Sequence, residues 1–211
     1  MNRIAAVSAL GLGLVVGCAH TRPDAMSADA HQRESLEHRR QAIEASTQYD
    51  PDARSVGFGQ DTGDRNLVVY NPTERHLKAT ETHRAHADAH ARAAAALRES
   101  EAAACGTIPE EARAACPLLS PHVARVVETL RGIELELKPD APAQELVSRM
   151  RCHLEHSRVE GFPEEDGESC PLYLRGSTIA LDGNAIEISG SSPKMAAEIR
   201  SDARRLFGQS F

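Results

Sequence analysis

Two different spacings of apolar residues divide the chain into an N-terminal and a C-terminal half. Over residues 27–47 and 71–105, alanine and other apolar side chains recur at helical spacing, which predicts two long helices. Asn71 and Pro72 strengthen the second prediction, because asparagine caps a helix well and proline suits the first helical position. Residues 50–66 are rich in glycine and aspartate and predict a loop. The N-terminal half is therefore predicted to form an antiparallel helical pair.

Further along the chain the spacing changes to every second residue, which is typical of a half-buried strand. Ile133, Leu135 and Leu137 alternate with charged neighbours. The elements around them predict a small antiparallel sheet with helices on one face. These are strands at 127–130 and 133–137, a helix at 142–158, a hairpin at 179–188 and a final helix after residue 192. We therefore predict an α+β fold, in which the antiparallel helical pair precedes this sheet.

The chain begins with an apolar run over residues 4–16, which is too short to span a bilayer and predicts an export signal. The tetrad Val15-Val16-Gly17-Cys18 at its end resembles the lipobox of bacterial lipoproteins. That resemblance implies cleavage before Cys18, lipidation of its thiol and acylation of the new amine. The alternative is an ordinary secretory signal in which Cys18 falls by chance.

The residue after the lipidated cysteine bears on sorting in that family, where aspartate favours retention at the inner membrane. Ala19 stands there, so the resemblance implies an outer-membrane lipoprotein that faces the periplasm or the cell surface. We predict a signal peptide at 1–17, a tether at 18–28, a helical region at 29–117 and an α+β module at 118–211. The lipid would attach the protein to the membrane, and an envelope protein is a candidate partner.

Composition narrows the classes of function. A formal net charge of −7 argues against a nucleic-acid partner held by phosphate contacts. The chain has no tryptophan and few other aromatic residues, which argues against a large pocket for a flat cofactor such as heme. No nucleophile, base and orienting group can be placed together from the sequence, so we predict a non-enzymatic protein.

Four cysteines remain besides Cys18, and an even number in an exported chain predicts disulfide bonds. Four cysteines allow three pairings. Pairing sequence neighbours closes the shortest loops, so we expect Cys105–Cys116 and Cys152–Cys170. A four-cysteine zinc site is the alternative, but the spacing contains no Cys-x-x-Cys pair.

The second predicted helix carries four histidines on one face. His76, His83, His86 and His90 fall within about 80° of one another on a helical wheel. The last three lie three and four residues apart, which makes their side chains neighbours on a helix surface. Neutral imidazole binds zinc and copper well, so we hypothesise a zinc or copper site at His83, His86 and His90. His76 or a carboxylate would complete the coordination.

The first predicted helix also carries histidines, His31 and His38, on one face. Each histidine group lies near its own helix N-terminus, so in an antiparallel arrangement the histidines need not all meet. The alternative to a metal site is a solvated polar face in a chain rich in alanine, arginine and histidine. The chain would then be a structural lipoprotein that tethers a partner and has no metal site.

A smaller group of candidate ligands lies on the helix predicted at 142–158. Met150, His153 and His156 could form a soft copper site if Cys152 were reduced. We favour the alternative, in which Met150 belongs to the core and His153 is a hydrogen-bonded histidine at its boundary. A catalytic pair of Cys152 and His153 is disfavoured, because adjacent helical residues point about 100° apart.

Overall fold

The computed structural model describes residues 26–58, 67–106, 108–162 and 170–208. The predicted signal peptide, Cys18 and residues 18–25 of the tether lie outside these ranges. Five helices are described: α1 (Ala28–Thr47), α2 (Glu74–Cys105), α3 (Glu110–Arg113), α4 (Ala143–Glu160) and α5 (Pro193–Phe207). Among the described residues, none of these helices combines the length and apolar character that a membrane span requires.

The strands form two antiparallel sheets, and the predicted α+β class is confirmed. A two-stranded sheet pairs β1 (Ser55–Phe58) with β2 (Leu67–Tyr70). The larger sheet has the order β3-β4-β6-β5 and contains β3 (Val123–Glu128), β4 (Gly132–Leu137), β5 (Ser177–Asp182) and β6 (Ala185–Gly190). Short 3-10 turns at Pro117–Leu119 and Pro171–Tyr173 lie before β3 and β5.

The first two helices pack side by side through small residues. Ser27 caps α1 by accepting a 3.0 Å hydrogen bond from the Ala30 amide. Along each helix, buried small side chains recur every seven residues, at Ala28, Ser35 and Ala42 on α1 and at Thr80, Ala87 and Ala94 on α2. A seven-residue repeat keeps one seam of each helix facing its partner, and the small side chains let the two backbones approach closely.

The β1–β2 hairpin corrects part of the predicted loop. Residues 55–58 lie within the range predicted to be irregular, yet they pair with Leu67–Tyr70 in the register Ser55↔Tyr70. A four-residue strand that contains Gly57 carries too little periodicity to be recognised locally. Its pairing partner comes from farther along the chain.

The core of the C-terminal half lies between the four-stranded sheet and α4 and α5. The central strands β4 and β6 pair in the register Leu135↔Ile186, and both of these side chains are fully buried. Met150 from α4 and Ile199 from α5 join the same hydrophobic cluster. The alternation predicted for β4 is confirmed, since its leucines and isoleucine are buried and Glu134 and Glu136 between them are only partly covered.

The disulfide pairing differs from the prediction. The bonds are Cys105–Cys152 and Cys116–Cys170, so the expected pairing of sequence neighbours is wrong. The argument from short loops considers chain entropy alone, whereas the fold packs α4 against the C-terminal end of α2 and so brings Cys152 to Cys105. Both bonds therefore connect the chain before residue 117 to the chain after residue 150.

Candidate metal centre

Histidines from α1 and α2 meet at the interface between the two helices. The Nδ1 atoms of His31 and His90 lie 2.9 Å apart, and those of His38 and His83 lie 3.2 Å apart. We expected that the six histidines of the two helices need not all meet, and five of them come together. We call these residues, together with His86, the histidine seam.

The unequal lengths of the two helices explain why the histidines meet. Helix α1 has 20 residues and α2 has 32, which correspond to lengths of about 30 Å and 48 Å. The N-terminal end of α1 therefore reaches only the middle of α2, where His90 lies. Residues seven apart on α1, His31 and His38, then face residues seven apart on α2, His90 and His83.

His38 is the most connected member of the histidine seam. Its ring centroid lies 5.4 Å from that of His83, 5.0 Å from that of His86 and 5.8 Å from that of His90. The His38 Nδ1 atom also lies 3.2 Å from the Gln41 side-chain oxygen. One imidazole of α1 thus contacts all three histidines that the sequence predicted as ligands on α2.

The predicted ligand His76 lies apart from this seam. It precedes His83 by seven residues, or about 10 Å of helix rise. Its Nε2 atom instead accepts a 3.3 Å hydrogen bond from Arg75 on the same helix. The structure therefore brings together His83, His86 and His90, separates them from His76, and adds His31 and His38. The shared face of the two α1 histidines was visible in the sequence, but their register against α2 was not.

Burial changes along the seam. His31 is buried, His38, His83 and His90 are half-buried, and His86 is exposed. Burial lowers the pKa of His90, and the neighbouring imidazoles of His31 and His38 lower it further. Glu34, one turn after His31, acts in the opposite direction on the same pKa. The net shift favours the neutral form of His90, which is the form that binds metal ions.

The spacing within each pair matches two ligands on one ion. Nitrogen atoms at 2.0–2.1 Å from a metal lie about 2.9 Å apart at a right angle and about 3.3–3.4 Å apart at a tetrahedral angle. The distances of 2.9 Å and 3.2 Å fall close to these values. In the metal-free state the same geometry lets one imidazole N–H donate to the lone pair of the other.

Within the described residues, a second group of ligand-type side chains lies at Cys116, His153 and Cys170. Their ligand atoms are all within 4.8 Å of one another, which is close enough to surround an ion. Cys116 and Cys170 form a disulfide, however, and only a thiolate is a good metal ligand. In this oxidised state the group holds no thiolate for a metal.

The alternative copper ligands on α4 are drawn into other contacts. Met150 is fully buried in the hydrophobic core, and His156 Nδ1 lies 2.8 Å from the Glu101 carboxylate on α2. His153 is only 1% exposed, so it lies inside the protein rather than at the boundary. Its Nδ1 lies 2.7 Å from the Arg113 carbonyl oxygen. Met150 therefore lies in the core and His153 is hydrogen-bonded, as the favoured alternative predicted.

Comparison with known proteins finds no relative of this chain. Neither a protein-family model, nor a curated protein, nor a solved structure matches the chain.

Proposed function

We propose that this protein is a non-enzymatic, lipid-anchored protein of the bacterial cell envelope that binds zinc or copper at the histidine seam. The observation that carries the proposal is the pair of close imidazole contacts, His31–His90 and His38–His83, at ligand spacing. Its role would be to buffer, sense or hand over the metal.

The position of the histidines supports a binding site over a merely polar surface. Apart from Cys105, the other buried residues of α1 and α2 are the small residues alanine, serine and threonine. Imidazoles at the same interface lose hydration, as the lowered pKa of His90 reflects. A metal ion bound between two imidazoles would offset that cost, and a solvated polar face would not require burial of His31.

The ligand type narrows the choice of ion. Imidazole nitrogen suits zinc, copper and nickel, whereas calcium and magnesium prefer oxygen ligands. An ion bound by the two imidazoles of one pair has further coordination positions, which are open to water or to a carboxylate such as Glu34. Zinc and copper(II) both accept such a mixed set of ligands.

Two features support the proposed location in the bacterial cell envelope. Two disulfide bonds are typical of proteins in an oxidising compartment outside the cytosol. The lipobox-like tetrad ending at Cys18, followed by Ala19, supports lipid attachment at the outer membrane. Metal binding at exposed and half-buried imidazoles fits a compartment where envelope ions are accessible.

Calorimetric titration of the oxidised protein with Zn²⁺ and Cu²⁺ tests the proposal. The double variants His31→Ala/His90→Ala and His38→Ala/His83→Ala each remove one pair of imidazole ligands. The affinity for metal at that pair should fall by more than about 100-fold. Loss of an outer-shell partner alone costs roughly 10–100-fold, and these variants remove direct ligands. His76→Ala is the matched control, because it removes a histidine from the same helix outside the seam.

Two results would contradict the proposal. One is a wild-type protein that takes up neither ion. The other is a pair of folded double variants, with unchanged circular dichroism, that bind as tightly as the wild type. Loss of binding in His76→Ala alone would move the site away from the seam.

A second candidate, a lipoprotein that tethers a partner and binds no metal, is favoured by one surface feature. The β1–β2 hairpin exposes the apolar side chains of Val56, Val68, Val69 and Tyr70. Val56 and Val69 are cross-strand partners and so lie on one face, and exposed apolar residues that lie together often mark a protein–protein contact. Two results together would support this candidate. The wild-type protein would bind no metal and co-purify with an envelope protein, and the Val69→Asp variant would no longer co-purify with it.

A further inference from the structure

The disulfide Cys116–Cys170 lies beside an imidazole and a cavity. The ligand atoms of Cys116, Cys170 and His153 are within 4.8 Å of one another. A cavity of about 400 Å³ lies against the disulfide and is bounded by Leu119, Tyr173 and other residues. Cys116 is half-buried, whereas both cysteines of the other disulfide are buried.

We propose that this disulfide is the oxidised form of a metal site with two cysteines and one histidine. A dithiol reductant would transfer two electrons and two protons to the disulfide, giving the thiols of Cys116 and Cys170, and would itself become a disulfide. Zn²⁺ would then bind both sulfurs as thiolates, release the two protons to solvent and take His153 as its third ligand. The proposal is independent of the histidine seam.

The hydrogen bonding of His153 is that of a metal ligand. Its Nδ1 lies 2.7 Å from the Arg113 carbonyl, so Nδ1 carries the proton and donates it to that oxygen. Nε2 then carries the lone pair and is the ligand atom. Metal-binding histidines commonly donate their second nitrogen to a carbonyl in this way, which fixes the ring orientation.

The carbonyl that orients His153 is itself held in place. The Arg113 guanidinium bonds the Ile108 carbonyl at 3.2 Å and the Glu101 carboxylate at 3.3 Å. The His153 ring also packs against Tyr173, with 4.8 Å between the ring centroids. The imidazole is thus positioned by contacts that do not involve the disulfide.

The second disulfide keeps this ligand in place when the first is reduced. Cys152, the residue before His153, is bonded to Cys105 at the end of α2. Both of these cysteines are buried, so a reductant reaches them less readily than it reaches Cys116. The cavity leaves room for water as a fourth ligand, the arrangement of an open zinc site.

Cobalt(II) is the probe that tests the proposal, because cobalt bound to thiolate shows a charge-transfer absorption that imidazole ligands do not produce. The full chain carrying Cys18→Ser would be titrated with cobalt before reduction, and again after treatment with a dithiol that is then removed without air. We expect no charge-transfer band in the oxidised protein. The reduced protein should develop the band, which should grow with added cobalt until it saturates.

Matched variants show which thiols bind. Cys116→Ser/Cys170→Ser should lose the band after reduction, although it keeps Cys105 and Cys152. A reduced protein without the band, or a band that persists in this variant, would overturn the proposal. The signal reports sulfur ligation, so failure of the histidine seam to bind metal would leave its result unaffected.

A second measurement covers the case in which reduction unfolds the protein. Zinc should raise the thermal midpoint of the reduced protein. In the oxidised protein, any change in the midpoint on adding zinc should come only from binding at other sites. The reduced Cys116→Ser/Cys170→Ser variant should show no rise beyond the one that zinc produces in the oxidised protein. A reduced chain that stays unfolded with zinc, or a rise in that variant as large as in the reduced protein with both cysteines, would also overturn the proposal.

Discussion

At the scale of single residues, His90 shows how the helix interface affects one imidazole of the histidine seam. His90 contacts His31 across the interface, and its pKa is lowered first by burial and then by the neighbouring imidazoles. The carboxylate of Glu34 opposes that shift. In the proposed site a metal ion and a proton would compete for the Nδ1 atom of His90, and burial disfavours the proton.

The lowered pKa of His90 predicts that acid destabilises the metal-free protein. In the unfolded chain His90 titrates near its ordinary value of 6.5, so below that pH the unfolded state binds more protons than the folded state. Stability should fall as the pH drops through about 6.5 and level off below the folded-state pKa. Urea midpoints at neutral and acidic pH measure this fall, which should be smaller in His90→Gln.

His76→Gln is the control for the pH prediction, because His76 lies outside the seam. The prediction fails if His90→Gln and the wild type lose stability equally on acidification. It also fails if His76→Gln reduces the loss as much as His90→Gln does.

At the scale of elements, the small residues of α1 and α2 determine how close the histidines come. Ala87 and Ser35 are both fully buried at the middle of the interface. Apolar spacing predicted both long helices, because it acts within one element. The predicted cap at Asn71 is wrong, since α2 begins at Glu74 with Thr73 at its N-cap. The β1–β2 hairpin was not predictable from Ser55–Phe58, because a strand this short depends on its partner.

Enlarging one of the small residues at the α1–α2 interface should push the two helices apart. Ala87→Leu adds three carbon atoms at a position with no exposed surface, and overpacking of this kind costs about 1–3 kcal/mol. Ala89→Leu, on the exposed side of the same helix, should change stability by about 0.5 kcal/mol or less. Denaturant unfolding of both variants gives the comparison. Equal stabilities would show that α1 does not pack on this face of α2.

At the scale of the whole molecule, the disulfides join the helical pair to the sheet. Cys105–Cys152 ties the end of α2 to α4, and polar contacts such as Ser100–Glu155 at 2.8 Å lie along the same helix–helix contact. The second disulfide ties the 3-10 turn at Pro117–Leu119 to the one at Pro171–Tyr173 through their preceding residues. The two halves of the chain are thereby cross-linked at two places.

Removing the first cross-link should lower the stability of the whole protein. Cys105→Ala/Cys152→Ala releases a constraint between residues 47 apart, and loop-closure entropy assigns such a constraint about 4 kcal/mol as an upper value. The free energy of unfolding, measured with denaturant and compared with the wild type, gives the loss. A variant with an unchanged midpoint and slope would show that the cross-link does not constrain the unfolded chain.

The amino-acid sequence by itself determined the helices, the alternating strand β4 and the α+β class, because these depend on spacing and capping within short segments. It also supplied the histidine face of α2. Only the tertiary structure decided that His31 and His38 meet that face and that Cys105 pairs with Cys152. These outcomes depend on the register and packing of elements distant in the chain, where the burial of side chains outweighs the entropy that favours short loops.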